Sequence, residues 1–150
     1  MMRKKSSVIY LPRDLTESEA FRKLGGTSFK VLVIFYRKRV MLQVPKLNAK
    51  KGKEWICTND GKITFYYSEA EKKYKISRKT FSRVIDELVS LGFIDIARAG
   101  IGYAKVPTLY IISDRWRKFG TQEFEKVERK KRISCNRVNE WRRKKEFSKC

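Results

Sequence analysis

The chain has no histidine at all. Without an imidazole there is no Cys/His zinc site, no histidine general base and no histidine–metal nicking centre. Cysteine is scarce too: Cys57, Cys135 and Cys150 are odd in number and far apart, with no CxxC pair. Free thiols in a reducing cytoplasm fit that pattern best. Neither a Walker lysine loop nor a GxGxxG fingerprint occurs. The longest apolar run, VLVIFY at 31–36, is far too short to span a bilayer and is bracketed by Lys30 and Arg37. The opening MMRKKSSVIYLP lacks the apolar core of a secretory signal, so a cytoplasmic, nucleoid-associated location is the expectation. No cofactor, metal or small-molecule ligand is expected, and an enzyme is not.

Acidic residues are also in short supply, 16 against 37 lysines and arginines among 150 residues, for a formal net charge of +21. That excess goes far beyond what solubility requires and implies a polyanionic partner: nucleic acid first, an anionic membrane second. Solvated lysines, as on ribosome-associated proteins, are the plainer alternative. The acids that do occur are scattered along helical stretches, where pairs such as Arg83 with Glu87, or Asp86 with Lys79 or Arg83, account for them. A hydrophobic content of 41% supports one modest core, hence one domain with tails.

The most informative stretch is SEAEKKYKISRKTFSRVIDELVSLG, Ser68 to Gly92. Ser68 with Glu71 reads as a capping box opening a short helix, and Ser77 as a second N-cap that forces the first helix to end near Tyr74. In the second helix Phe81, Val84, Ile85 and Leu88 recur on one face, Leu91 extends the stripe, and Gly92 stands where a C-terminal cap belongs. Lys79, Arg83, Asp86 and Ser90 point away from that stripe, Ser82 lies on its border, and Arg78 sits at the helix start. Basic and hydroxyl residues therefore crowd the exposed first turns, which suits entry into a major groove.

The segment FYYSEAEKKYKISRKTFSRVIDELVSLGFIDI resembles the helix-turn-helix and first wing strand of winged-helix DNA-binding domains. It is most similar to those of small plasmid, phage and integrated-element proteins of bacteria and archaea, over roughly residues 27–121. The resemblance implies an α+β fold, a winged helix-turn-helix with a three-helix core and a β-hairpin wing, flanked by basic extensions. Many members carry Gly in the turn where this chain has Lys75, a position at which a positive φ costs about 1 kcal/mol.

Residues 1–14 read as a flexible basic arm with Arg3, Lys4 and Lys5, solvated or reaching a minor groove. Thr16 is placed to cap a short helix that Gly25 ends, with Ala20, Phe21 and Leu24 packing on the domain. Thr27 or Ser28 then starts a largely buried helix, with Phe29, Leu32, Val33 and Tyr36 on its inner face and Val31, Ile34 and Phe35 widening it. Residues 41–61 form an inserted loop or hairpin, in which Trp55 and Ile56 make a short strand or an anchor and Asn59-Asp60-Gly61 turns the chain into Lys62–Tyr66. Phe93–Ala97 and Thr108–Ser113 make the wing, with Arg98, Tyr103 and Lys105 near its glycine-rich tip and Pro107 confined to a strand edge or start. Trp116 and Phe119 close the core behind it. The domain therefore spans 15–121, and 122–150 is a basic C-terminal helix or tail.

These features together predict a sequence-specific double-stranded DNA-binding protein, a transcriptional regulator or a replication-initiation protein of a mobile element. Ser77, Arg78, Lys79, Thr80, Ser82 and Arg83 are the expected contacts of the recognition helix. Arg98, Tyr103 and Lys105 are those of the wing, placed for backbone affinity. Lys130, Lys131, Arg132, Arg142, Arg143, Lys144 and Lys145 are those of the tail, read as an electrostatic clamp. A partner-binding or dimerising helix built on Trp141 and Phe147 is the rival reading of the tail, so a homodimer stays open. The alternatives for the whole chain are a non-specific RNA- or nucleoid-coating protein and a winged-helix protein–protein adaptor.

Overall fold

Phe81 has no exposed surface, and the ring contacts radiating from it tie together four helices and strands and the segment at Phe65. Its ring meets Phe65 edge-on at 4.7 Å and Tyr67 at 5.0 Å, and Phe65 in turn meets Phe35, which meets Tyr110. Such edge-to-face pairs add specificity to apolar burial. The computed structural model describes residues 8–45, 52–101 and 104–130.

In chain order these are α1 (Arg13–Glu17), α2 (Glu19–Arg22), α3 (Gly26–Lys38), β1 (Met41–Pro45), β2 (Lys53–Cys57), β3 (Ile63–Thr64), α4 (Tyr67–Tyr74), α5 (Arg78–Ser90), β4 (Ile94–Arg98) and β5 (Leu109–Ile112). A 3-10 helix, Arg115–Lys118, follows. The fold is mixed α+β, with two small antiparallel sheets among the described residues: β1 with β2, and a three-stranded sheet in the order β3-β5-β4. No helix of the described residues is long and apolar enough to cross a membrane.

The first helical stretch differs from its expectation. The chain breaks at Ser18, whose hydroxyl accepts from the Phe21 amide and so caps α2, while the Thr16 hydroxyl only donates to the Arg13 carbonyl. A continuous helix would hold Leu15 and Ala20 about 140° apart on its surface. The break lets both reach the core, where neither keeps any exposure. Leu11 also packs against that core, so the chain joins the fold ahead of α1.

α3 is not started by Thr27 or Ser28. Gly25 is its N-cap, and a carboxylate from another helix serves the terminus: Glu87 accepts from the Gly25 amide at 3.0 Å and from the Ser28 hydroxyl at 2.6 Å. An anion there is favoured by the helix dipole. It draws Glu87 away from Arg83, because an exposed i,i+4 pair is worth only about 0.3–0.5 kcal/mol. The inner face of α3 is accordingly rotated from the expected one. Ser28, Val31, Leu32, Ile34, Phe35 and Tyr36 are buried, whereas Phe29 remains partly exposed against the edge of Phe21.

Tyr36 makes this packing sensitive to alkali. Burial pushes its phenol from 10.0 up to about 12, with Arg39 pulling it back and Asp114 adding to the rise. The fold thus prefers the neutral phenol, so this contribution is whole below pH 10 and is lost as pH rises through 12. In an alkaline titration of unfolding free energy, Tyr36→Phe should lose about 2–3 kcal/mol less than the unsubstituted chain between those limits. Equal losses would show that Tyr36 ionises as freely as an exposed phenol.

The 41–61 segment is a hairpin, but not the one expected. β1 pairs with β2 from Met41↔Cys57 to Pro45↔Lys53, and β3 pairs with β5, so residues 59–61 do not fold β2 onto β3. The Asn59 side chain instead pins the base of the hairpin, accepting from the Val40 amide and donating to the Lys38 carbonyl. Trp55 and Ile56 are exposed and anchor nothing in the core.

Candidate nucleic-acid interface

Two helices joined by a three-residue turn present the basic surface. α4 is held against α3 by a half-buried Lys38–Glu69 ion pair at 2.7 Å. It begins after Tyr66, two residues earlier than expected, and with no side-chain cap. Ser68 lies within the helix, and Glu71 faces Arg78 at 3.4 Å, so the capping box does not form. The turn keeps the left-handed conformation usual for glycine: Lys75 has φ 57 and ψ 38. The Lys75 and Ile76 amides both donate to the Ala70 carbonyl, and Ile76 is buried, which offsets the strain of a side chain at positive φ.

Ser77 caps α5 as its sequence implies, accepting from the Thr80 amide at 3.2 Å and donating to the Thr80 hydroxyl at 2.9 Å. These two hydroxyls therefore satisfy each other and the helix start before any ligand. Phe81, Val84, Ile85 and Leu88 are buried as the periodicity requires, and Val89 joins them. On the opposite face Lys79 and Arg83 are exposed. Arg78 is exposed too, but ion-paired to Glu71.

The helix ends in a glycine motif. The Gly92 amide donates to Val89 and the Phe93 amide to Leu88, with Gly92 at φ 85. β4 and β5 then form a hairpin beside α5, with a register shift between Ile96 and Arg98. Arg98 and Lys105 are exposed near its tip, where Ile101 and Val106 bridge and Lys105 takes φ 53. Pro107 is neither on an edge strand nor the first residue of one: it lies two residues ahead of β5, which is the central strand of its sheet. Tyr103, the third residue expected there, lies outside the described residues.

Of the two readings of the chain after the 3-10 helix, helix or tail, residues 124–130 take the second: they have no regular secondary structure and run back over the domain as a strap. Arg115 holds its start, donating to the Glu125 carbonyl while also engaging Asp95 and the Val89 carbonyl. Val127 packs on the core. Arg129 then docks on the flank of α5, donating to the Ser82 hydroxyl at 2.6 Å, the Ser82 carbonyl and the Tyr67 hydroxyl. It also pairs with Asp86 at 2.7 Å. Burial opposes the charge of this guanidinium, but the Tyr67 hydroxyl and the Asp86 carboxylate outweigh it, leaving its pKa above the ordinary value.

Ser82 is therefore committed to Arg129, and Asp86 balances Arg129, not Lys79 or Arg83. A groove between helix and strap brings Arg83 together with Lys126 and Lys130. Lys131, Arg132, Arg142, Arg143, Lys144 and Lys145 lie outside the described residues. The strap carried a legible signal: Val127 and Arg129 are half-buried while Lys126, Glu128 and Lys130 are exposed, the period of two of an extended chain. The basic charge of the segment hides that alternation. No protein-family model, curated protein or solved structure matches the chain.

Proposed function

We propose that this chain is a winged helix-turn-helix protein that binds double-stranded DNA in a sequence-dependent way, acting by binding and not by catalysis. On this reading α5 enters the major groove, the β4–β5 hairpin is a wing on the sugar–phosphate backbone, and the biological role is regulation or replication initiation for a mobile element. The element order α3-β3-α4-α5-β4-β5, with the β1–β2 hairpin inserted between α3 and β3, and the strand order β3-β5-β4 support the fold assignment. The observation that carries the function is the exposed pair Lys79 and Arg83 at the start of α5, in a chain of net charge +21.

A binding selection on random duplexes tests it. Each specific base contact contributes about 1–3 kcal/mol of discrimination, so Arg83→Ala or Lys79→Ala should flatten preference about 10- to 100-fold at the base pairs they read. Both side chains are exposed, so neither variant should lose stability. If both keep the original motif at full strength, α5 does not read bases. If the unsubstituted chain selects no motif but binds any RNA or DNA, the coating function replaces this one.

A further inference from the structure

Asp86 is the one acid among the four residues of α5 that point directly away from the core, the others being Lys79, Arg83 and Ser90. A carboxylate there, 53% exposed at its side chain, would face the phosphates of any duplex entering beside Lys79 and Arg83. Like charges brought together at an interface disfavour association, and so oppose what Lys79 and Arg83 contribute. The strap supplies the countercharge. Its Arg129 is itself only 19% exposed at the side chain, held in place by Ser82 and Tyr67 as well as by Asp86. A guanidinium so constrained is not available to a phosphate, and its role is directed inward, at the helix.

We propose that Arg129 is a positioning residue of the DNA-binding surface: it masks the Asp86 charge on the reading face of α5 and fixes the strap alongside that helix. Lys130 then stands with Arg83 along one groove beside α5, where Lys126 is ion-paired to Glu128 at 2.9 Å. The strap is a built part of the interface, with duplex phosphate backbone as the partner it serves. This rests on the DNA-binding reading given above.

Arg129→Gln tests it on the full-length chain: the shorter glutamine removes the charge together with most of the guanidinium's hydrogen bonds to Ser82 and Tyr67, and the double variant below separates the two losses. Affinity for the selected duplex should fall about tenfold or more in Arg129→Gln, as expected for an unmasked like charge. The double variant Arg129→Gln with Asp86→Asn should return to within about threefold of the original, since the carboxylate that needed masking is gone. A purely structural role for Arg129 would not be rescued by removing its partner. Unchanged or tighter binding by Arg129→Gln would overturn the proposal, the tighter case making the strap a brake on the helix. Failure of the double variant to recover would overturn it as well. Absence of duplex binding by the unsubstituted chain would instead remove the functional reading itself, and this inference with it.

Discussion

Replacing Gly92 with alanine is expected to destabilise the protein by about 3 kcal/mol or more, a shift of roughly 10 °C in melting temperature for a domain of this size. Two causes add at this position. Its φ of 85 lies where an L side chain is strained. A Cβ would also stand 2.8 Å from the Trp116 amide nitrogen and 3.0 Å from the Arg115 carbonyl carbon, so backbone must move and not merely a side-chain tip. The close approach exists because the Trp116 amide donates to the Gly92 carbonyl, which seats the Trp116 ring against Phe93 with centroids 6.1 Å apart. Moving residues 115–116 would also disturb Arg115, which anchors the strap through Glu125. Gly26→Ala is the control, since nothing lies within 4 Å of a Cβ there. A thermal melt of both variants decides the matter: a Gly92→Ala protein melting within about 2 °C of the original would show that the turn relaxes freely.

Ending the chain after Lys130 should make duplex binding much less dependent on salt. Residues 131–150 hold eight lysines and arginines against two glutamates. If half of those bases neutralise phosphates, their loss reduces the log–log salt slope by about 3 to 4 units. Between 50 and 200 mM salt, that corresponds to about a hundredfold less loss of affinity. The cut belongs after Lys130 and not at the domain boundary of 121 read from the sequence, because the strap up to Arg129 is part of the folded domain and removing it would expose α5 and unpair Asp86. The preferred sequence should be retained, as Lys79 and Arg83 are untouched. Titrations across a salt series with both chain lengths give the slope directly. An unchanged slope accompanied by a change from dimer to monomer would reassign the tail to protein contacts through Trp141 and Phe147.

What the sequence determined by itself was whatever a few neighbouring residues decide. The stripe Phe81, Val84, Ile85 and Leu88, the Ser77 cap, the end of α4 at Tyr74 and the glycine that closes α5 all depend on interactions spanning three to six positions, and all are found where the periodicity and cap chemistry put them. The exposure of Lys79 and Arg83 follows from the same helical geometry. Local competition between caps was less legible, because one cap side chain is worth only about 1 kcal/mol: burial of Leu15 and Ala20 is enough to choose Ser18 over Thr16, and α4 starts ahead of Ser68 with no side-chain cap at all. Only the tertiary structure decided the long-range partnerships. Glu87 serves the start of α3 from 59 positions away through Ser28, and Arg129 reaches back 47 positions to Ser82. β3 likewise takes β5 as its neighbour across two helices and a strand, leaving β2 to pair with β1. The physical reason is that charge and hydrogen-bonding capacity do not encode a partner. A carboxylate on α5 is satisfied equally well by Arg83 one turn away or by an arginine from the strap. Which one it meets depends on how the apolar faces of α3, α5 and the sheet close on each other.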